Sequence, residues 1–354
     1  MLKILFVSTS VGALGTGEGG GVELTIQNLV QELIDRGHQL EVVAPQRSWL
    51  TDIQVTTIEG NLQVPAQTQS RDVSICLPDN SVLANMWDYA RQMQSKYDLI
   101  VNFAFDWLPF YLTPFFATPI AHFISMGSMT NASDRIMQQT IARYPDTFGV
   151  YTQAQADTFP FGDRCEILSS AVDLSLYQFN NNPGKSFAWL GRIAPEKALE
   201  DAVEAVNRTG TPLKIMGRIQ EEEYWQQILH NFTDAPIEYL GFLDTVQLQK
   251  ELGKCRALLM TPRWIEAFGN VAIEALACGV PIIAYRRGGP AEIVRDGQTG
   301  FLVEPDSVDG LVMAINNIDR IDRLACRQQA ENEYSLSALG DRFEAWFNKI
   351  VGDR

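Results

Sequence analysis

Short apolar or β-branched runs alternate along the whole chain with segments whose apolar residues recur at helical spacing. Lys3–Thr9 has the composition of a strand. Ile26, Leu29, Val30, Leu33 and Ile34 then share one helix face until Gly37, and Leu40–Ala44 follows as a second strand. The pattern next predicts a helix with Val82, Leu83, Met86, Tyr89, Ala90 and Met93 turned inward, and strands at 98–103, 120–124 and near 148–152. Consecutive strands joined by helices pair in parallel and need both faces covered, which constrains the chain to an α/β fold of βαβ units.

After Tyr177 the chain reads Gln-Phe-Asn-Asn-Asn-Pro-Gly-Lys (178–185), a polar, turn-rich stretch that predicts a domain linker. The alternation restarts with strands expected at 186–190, 213–216, 237–240, 257–260, 282–285 and 301–303. A length of 354 residues also favours two cores over one. The expected domains are therefore 1–180 and 185–334, followed by an amphipathic segment within 335–354.

Charge narrows the function. With 28 Lys and Arg against 43 Asp and Glu, the formal charge is −15, which repels nucleic acid and anionic membrane surfaces alike. A polyanionic ligand must then be met by a local cluster of cations. The five cysteines lack any C-x-x-C, and the three histidines lack metal-ligand spacing, so neither a disulfide framework nor a metal centre is expected. The most apolar stretch, Phe103 to Met129, is broken by Asp106, three prolines and His122, so stable membrane insertion is not expected and the protein reads as cytoplasmic. Oligomeric state is not legible.

In open parallel sheets ligands bind beyond the carboxyl ends of strands, and the motifs fall there. Strand one leads into Gly15-Thr16-Gly17-Glu18-Gly19-Gly20-Gly21, whose backbone N–H groups, with Gly20 and Gly21 nearest the helix, suit an anion or a sugar hydroxyl. A dinucleotide fingerprint is disfavoured, because strand two ends Ala44-Pro45-Gln46 without the acid that would read a ribose. Strand 186–190 opens into Gly191-Arg192-Ile193-Ala194-Pro195-Glu196-Lys197, two cations suited to a departing diphosphate. Glu266 through Pro281 follows a strand and starts a helix at Phe268-Gly269-Asn270, with Asn270 as its expected N-cap and Val271, Leu276 and Ala277 facing inward. Glu266 and Glu274 flank that helix start and suit vicinal diols, one on a sugar ring and one on a ribose. Arg286-Arg287-Gly288-Gly289-Pro290 adds a further helix start.

These motifs together resemble the retaining glycosyltransferases of family 4: Glu266 to Glu274 matches their E-x7-E signature and Gly191 to Lys197 their diphosphate loop. The resemblance covers essentially the whole chain. It implies a GT-B architecture of two facing Rossmann-like domains with a cleft between them, and a last helix returning to the first domain. It implies Arg192, Lys197 and Glu266 as catalytic residues. Donor binding would fall to Gly20, Gly21, Gly191, Phe268, Gly269, Asn270, Val271 and Glu274. UDP-glucose would be a donor substrate, with no cofactor and no metal.

Two positions depart from the family pattern. Ala198 stands where a glycine is usual, which helical φ/ψ would tolerate, and Ser125 stands where many members carry histidine. His122, three residues earlier on the same strand, points to the opposite face. Residues 103–116 and 122–128 further resemble the cyanobacterial members that glucosylate tetrahydrobiopterin. That implies a small pterin-like acceptor, with Asp106, Trp107, His122 and Ser125 as acceptor-binding residues. A lipid or polysaccharide acceptor, a nucleotide-sugar epimerase and a non-catalytic sensor stay open as alternatives.

Overall fold

A computed structural model describes residues 1–16, 21–51 and 53–352. They form two compact units, Met1–Ser170 together with the stretch from Leu336, and Ala171–Ser335. Among the described residues the first unit holds a parallel sheet of β1 (Lys3–Val7), β2 (Gln39–Pro45), β3 (Val55–Ile58), β4 (Leu99–Asn102), β5 (Ile120–Ile124), β6 (Phe148–Val150) and β7 (Glu166–Ile167). Its order is β3-β2-β1-β4-β5-β6-β7.

The second unit holds β8 (Phe187–Leu190), β9 (Leu213–Met216), β10 (Ile237–Gly241), β11 (Leu258–Met260), β12 (Ile282–Tyr285) and β13 (Gly300–Val303), again parallel. Its order is β10-β9-β8-β11-β12-β13. Both sheets therefore reverse their direction of growth at one place, between β1 and β4 and between β8 and β11. Such a switch point leaves a crevice at the strands' carboxyl ends, because the connections on either side depart to opposite faces.

Burial on both faces explains why the central strands were legible as continuous apolar runs: Ile4 to Val7 and Ile282 to Tyr285 are fully buried. The helix Val82–Met93 is capped by Ser81, which accepts from the Ala84 N–H, and lays Val82, Leu83, Met86, Trp87 and Ala90 against β1. The sequence pattern passed over β3 and β7. Both are edge strands, one reading Val-Thr-Thr-Ile without full burial and the other only Glu-Ile, so neither carries a buried-run signal.

The division between the units lies at Ser170/Ala171 rather than in the 178–185 stretch. That stretch is bonded into the second unit: the Asn180 N–H donates to Cys278 O at 3.1 Å, and Arg323 Nε donates to Asn180 O at 2.7 Å. Polar, turn-forming composition marked a loop correctly, but its hydrogen bonds place it inside a unit. The last helix, Leu336–Gly352, packs in the first unit, with Phe343 5.4 Å from the Phe123 ring. Arg36 pairs there with Glu32, Asp341 and Glu344. His38 Nδ1 accepts from the Leu2 N–H, so its proton sits on Nε2, 2.7 Å from Glu344 Oε1.

Candidate active site

The loop after β8 is shaped by close backbone approach. The Gly191 N–H donates to Met216 O at 3.0 Å, and the Ile193 N–H to Arg218 O at 2.9 Å. A Cβ on Gly217 would stand 1.8 Å from the Gly191 carbonyl oxygen, so only glycine fits opposite. Pro195–Lys197 makes one tight turn and delivers the chain to Ala198 at φ 46°, ψ 53°. The helical conformation that would have made alanine harmless is therefore not adopted. The residue is left-handed, which costs alanine about 1–2 kcal/mol relative to glycine. Thr261 Oγ1 holds it there, donating to Ala198 O at 2.7 Å.

The two cations of this loop are already partnered. Arg192 bonds Gln220 and reaches Glu196 at 3.1 Å, with its side chain 38% exposed. Lys197 pairs with Glu266 and lies 5.0 Å from the centroid of the Trp264 ring. Trp264 Nε1 donates to the same Glu266 oxygen, Oε2, at 2.9 Å. Burial works to raise the Glu266 carboxyl, but the charge and hydrogen bond of Lys197, the Trp264 indole and the more distant Arg192 hold it below the ordinary value. Glu266 is therefore an anion gripped on one oxygen.

Glycines at the next helix start brace Glu266 from behind. A Cβ on Gly288 would fall 2.6 Å from Glu266 N, and one on Gly289 would fall 2.2 Å from Phe268 O. The Gly289 N–H donates to Glu266 O at 2.7 Å. The Arg286-to-Pro290 motif thus acts as backing for the Glu266 loop, while Arg287 donates to Pro262 O and pairs with Asp306. Phe268 is buried against Tyr334, and Gly269 takes φ 96° at the N-cap of the helix Asn270–Ala277. Asn270 is consequently the first helical residue and not the cap, and Val271 is only half-buried, whereas Leu276 and Ala277 are buried as expected.

One turn along that helix Glu274 accepts a hydrogen bond from the Tyr177 hydroxyl at 3.1 Å. Burial pushes its carboxyl up to about 7, against the lowering effect of that bond. The group is poised to change charge near neutrality. So Gly191, Arg192, Lys197, Glu266, Phe268, Gly269, Asn270, Val271 and Glu274 all lie in the loops following β8 and β11 or on the helix after β11, at one switch point. Trp264 and Tyr177 were missed. Trp264 had a signal, an aromatic two residues from a motif acid. Tyr177 had none, because its partner is 97 positions away.

The first unit gathers its expected residues less tightly. Gly20 lies outside the described residues, and Gly21 begins the helix Gly21–Asp35. Asp106 is raised by burial, against hydrogen bonds from Gln63 Nε2 at 2.8 Å and from the backbone of Leu108 and Trp107. Trp107 stacks on Tyr111 at 4.5 Å, and Ser125 is half-buried just beyond β5. His122 belongs to the core rather than to an acceptor site. It is fully buried, with Nδ1 3.3 Å from Asn102 Nδ2 and Nε2 2.9 Å from Thr113 Oγ1, and burial lowers its pKa to about 3. The expected aromatic acceptor surface is likewise divided: Phe103 and Phe110 are buried, while Tyr111 and Phe115 face solvent. Among the described residues no group of three or more His, Cys, Asp or Glu side chains is placed to hold a metal ion, and no helix is long and apolar enough to cross a membrane.

Residues 178–333 match the family Glycosyl transferases group 1. The match spans less than half of the chain, which in that part is similar to the group 1 glycosyl transferases. It contains both motif acids and both loop cations. The D-inositol 3-phosphate glycosyltransferase of Nocardia farcinica is 25% identical over 93% of the chain and 84% of its own length. The glycogen synthase of Mycobacterium tuberculosis is 34% identical, but the match covers 37% of this chain and only 33% of that protein. Among solved structures, HepE of Anabaena in complex with UDP has a TM-score of 0.78 at 18% identity, covering 98% of this chain and 100% of that one. Sucrose-phosphate synthase of Thermosynechococcus elongatus has a TM-score of 0.80 at 16% identity, with 100% of each chain covered. These likenesses show a GT-B fold, with the second unit as one Rossmann-like half and the first unit as the other.

Proposed function

We propose that the chain is a retaining glycosyltransferase that moves glucose from UDP-glucose to a small hydroxylated acceptor, tetrahydrobiopterin by its sequence resemblance, giving an α-glucoside. The observation that carries this reading is the cluster at the β8/β11 switch point, where Arg192 and Lys197 stand with Glu266 beside a helix start. HepE, a structural relative, has been crystallised with UDP and glucose and with UDP-glucose, which supports the choice of donor.

In this reading the diphosphate draws Lys197 from Glu266 and Arg192 from Glu196, replacing carboxylate partners with phosphate oxygens. The freed Glu266 accepts hydroxyls of the glucose and positions it, while Glu274 accepts the two ribose hydroxyls. The bond from the anomeric carbon to the diphosphate breaks as the acceptor oxygen bonds on the same face, and the acceptor proton passes to the departing phosphate oxygen. The two cations and the N–H groups at the start of the Asn270 helix stabilise the charge that develops there. No metal or cofactor is required by these steps. The first unit would take the acceptor, with Asp106 accepting from its amino edge beside Trp107.

A second reading has one observation in its favour. Tyr111 and Phe115 are 45% and 63% exposed and continue a row from Trp107, which suits an acceptor with an apolar part such as a lipid. A screen of UDP-sugars against reduced pterins, lipids and simple alcohols, read by UDP release and product mass, separates the two. A glucosylated pterin supports the first reading, and transfer to lipid alone replaces it with the second. An altered nucleotide sugar without acceptor would mean an epimerase.

A further inference from the structure

We propose that Tyr177 is a positioning residue for nucleotide binding: its buried hydroxyl presents the Glu274 carboxylate to the ribose hydroxyls, and Arg327 holds the tyrosine in place. The inference rests on the assignment of Glu274 to the ribose. Tyr177 is 4% exposed, and its hydroxyl donates to Glu274 Oε1 at 3.1 Å. A donor on one carboxylate oxygen fixes the plane of the group, leaving Oε2 and a remaining lone pair of Oε1 for two vicinal hydroxyls.

The tyrosine is held from two directions. Arg327 Nη1 donates to Tyr177 O at 2.9 Å and to Ala277 O at 2.7 Å, tying the tyrosine's backbone to the end of the helix that carries Glu274. The next residue, Gln178, donates its N–H to Gln249 Oε1 at 3.2 Å from the helix Thr245–Gly253. The charged and titratable groups around the pair are Asp173 on the same segment, Cys278 at the end of the Glu274 helix, and Arg327 on the helix Arg323–Glu333, with Arg323 of that helix acting on Cys278. Within this set the phenol is the group whose hydrogen bond favours ionised Glu274 against its burial.

Calorimetric titration of UDP into the wild-type chain, Tyr177→Phe, Arg327→Gln and Glu274→Gln between pH 5.5 and 9 tests this, because the ionisation of UDP itself cancels in ratios between variants. Loss of the hydrogen bond should raise the Glu274 midpoint by about one unit. At pH 7 the ionised fraction then falls from about a half to about a tenth, so Tyr177→Phe binds UDP about fivefold more weakly, with the deficit closing toward pH 9. Arg327→Gln moves in the same direction by less, and decides the matter if Tyr177→Phe does not fold. A loss equal at every pH, or a pH profile that does not move, assigns Tyr177 to packing alone and overturns the proposal. Unchanged UDP affinity in Glu274→Gln would instead remove the ribose assignment beneath it, a failure read from a different variant.

Discussion

At the β8/β11 switch point Arg192 pairs with Glu196, and Lys197 and Trp264 both bond Glu266, making a charged cluster. At the corresponding place in the first unit, between β1 and β4, the chain reads Ser8-Thr9-Ser10 and Phe103-Ala104-Phe105-Asp106 without a cation, and Asp106 is met by the neutral Gln63. The two sheets share one strand order, so topology supplies a crevice to both and says nothing about what enters it. Side chains on the loops decide that. On the proposed reading one mouth suits a group carrying several negative charges and the other a neutral or donor-bearing one.

The largest effect expected from this contrast is on nucleotide binding and turnover. Lys197→Ala and Arg192→Ala should each lower turnover about 10²- to 10³-fold, as removal of a transition-state charge stabiliser does, and weaken UDP in a calorimetric titration. Asp106→Asn should leave UDP affinity unchanged. Equal losses of UDP affinity from all three would erase the distinction between the mouths.

Acidity offers a second contrast. Glu274 is raised from 4.5 to about 7 in the folded chain, so the folded state holds a proton that the unfolded state has lost. Its contribution is present below about 4.5 and disappears as pH rises to about 7, amounting to about 3 kcal/mol at most. His122 runs the other way. Lowered from 6.5 to about 3, it contributes above about 6.5 and loses that contribution as pH falls toward 3. Thermal melts from pH 4 to 8 should therefore show Glu274→Gln removing a decline on the alkaline side. His122→Asn, by contrast, should remove one on the acid side. The same sign in both would contradict the two environments described.

Smaller changes concern structure alone. His122→Ala should destabilise the first unit by about 2–4 kcal/mol, since the ring packs against Phe110 and Phe148 at 4.7 and 5.1 Å, and leave UDP affinity intact. Ala198→Gly should raise the melting temperature by a few degrees at most, because glycine relieves the left-handed φ of 46° at the price of a lost buried methyl and a looser unfolded chain. A fall in melting temperature would show that the methyl contact outweighs the strain.

Legibility followed the same divide. Strands β5, β9 and β12 stand at the bounds their apolar runs predict, and the second unit's site residues come together because each motif is local and follows a strand. What failed was decided by partners distant in the chain. Asn270 lost the cap to Gly269, which takes a φ of 96° where an added Cβ would crowd Met260 and Pro290. His122 became a core residue because Asn102 and Thr113 satisfy both ring nitrogens. The turn-rich 178–185 segment proved to be fastened by Arg323, 143 positions on. Composition exposes a loop's freedom to turn, but not what will bind it.

A crystal structure of the chain with UDP tests the central claim most directly. The account predicts the diphosphate within hydrogen-bonding distance of Arg192 and Lys197, the Lys197–Glu266 pair opened, and the ribose on Glu274. A nucleotide seated at the β1/β4 mouth, or one that leaves both cations on Glu196 and Glu266, would contradict it.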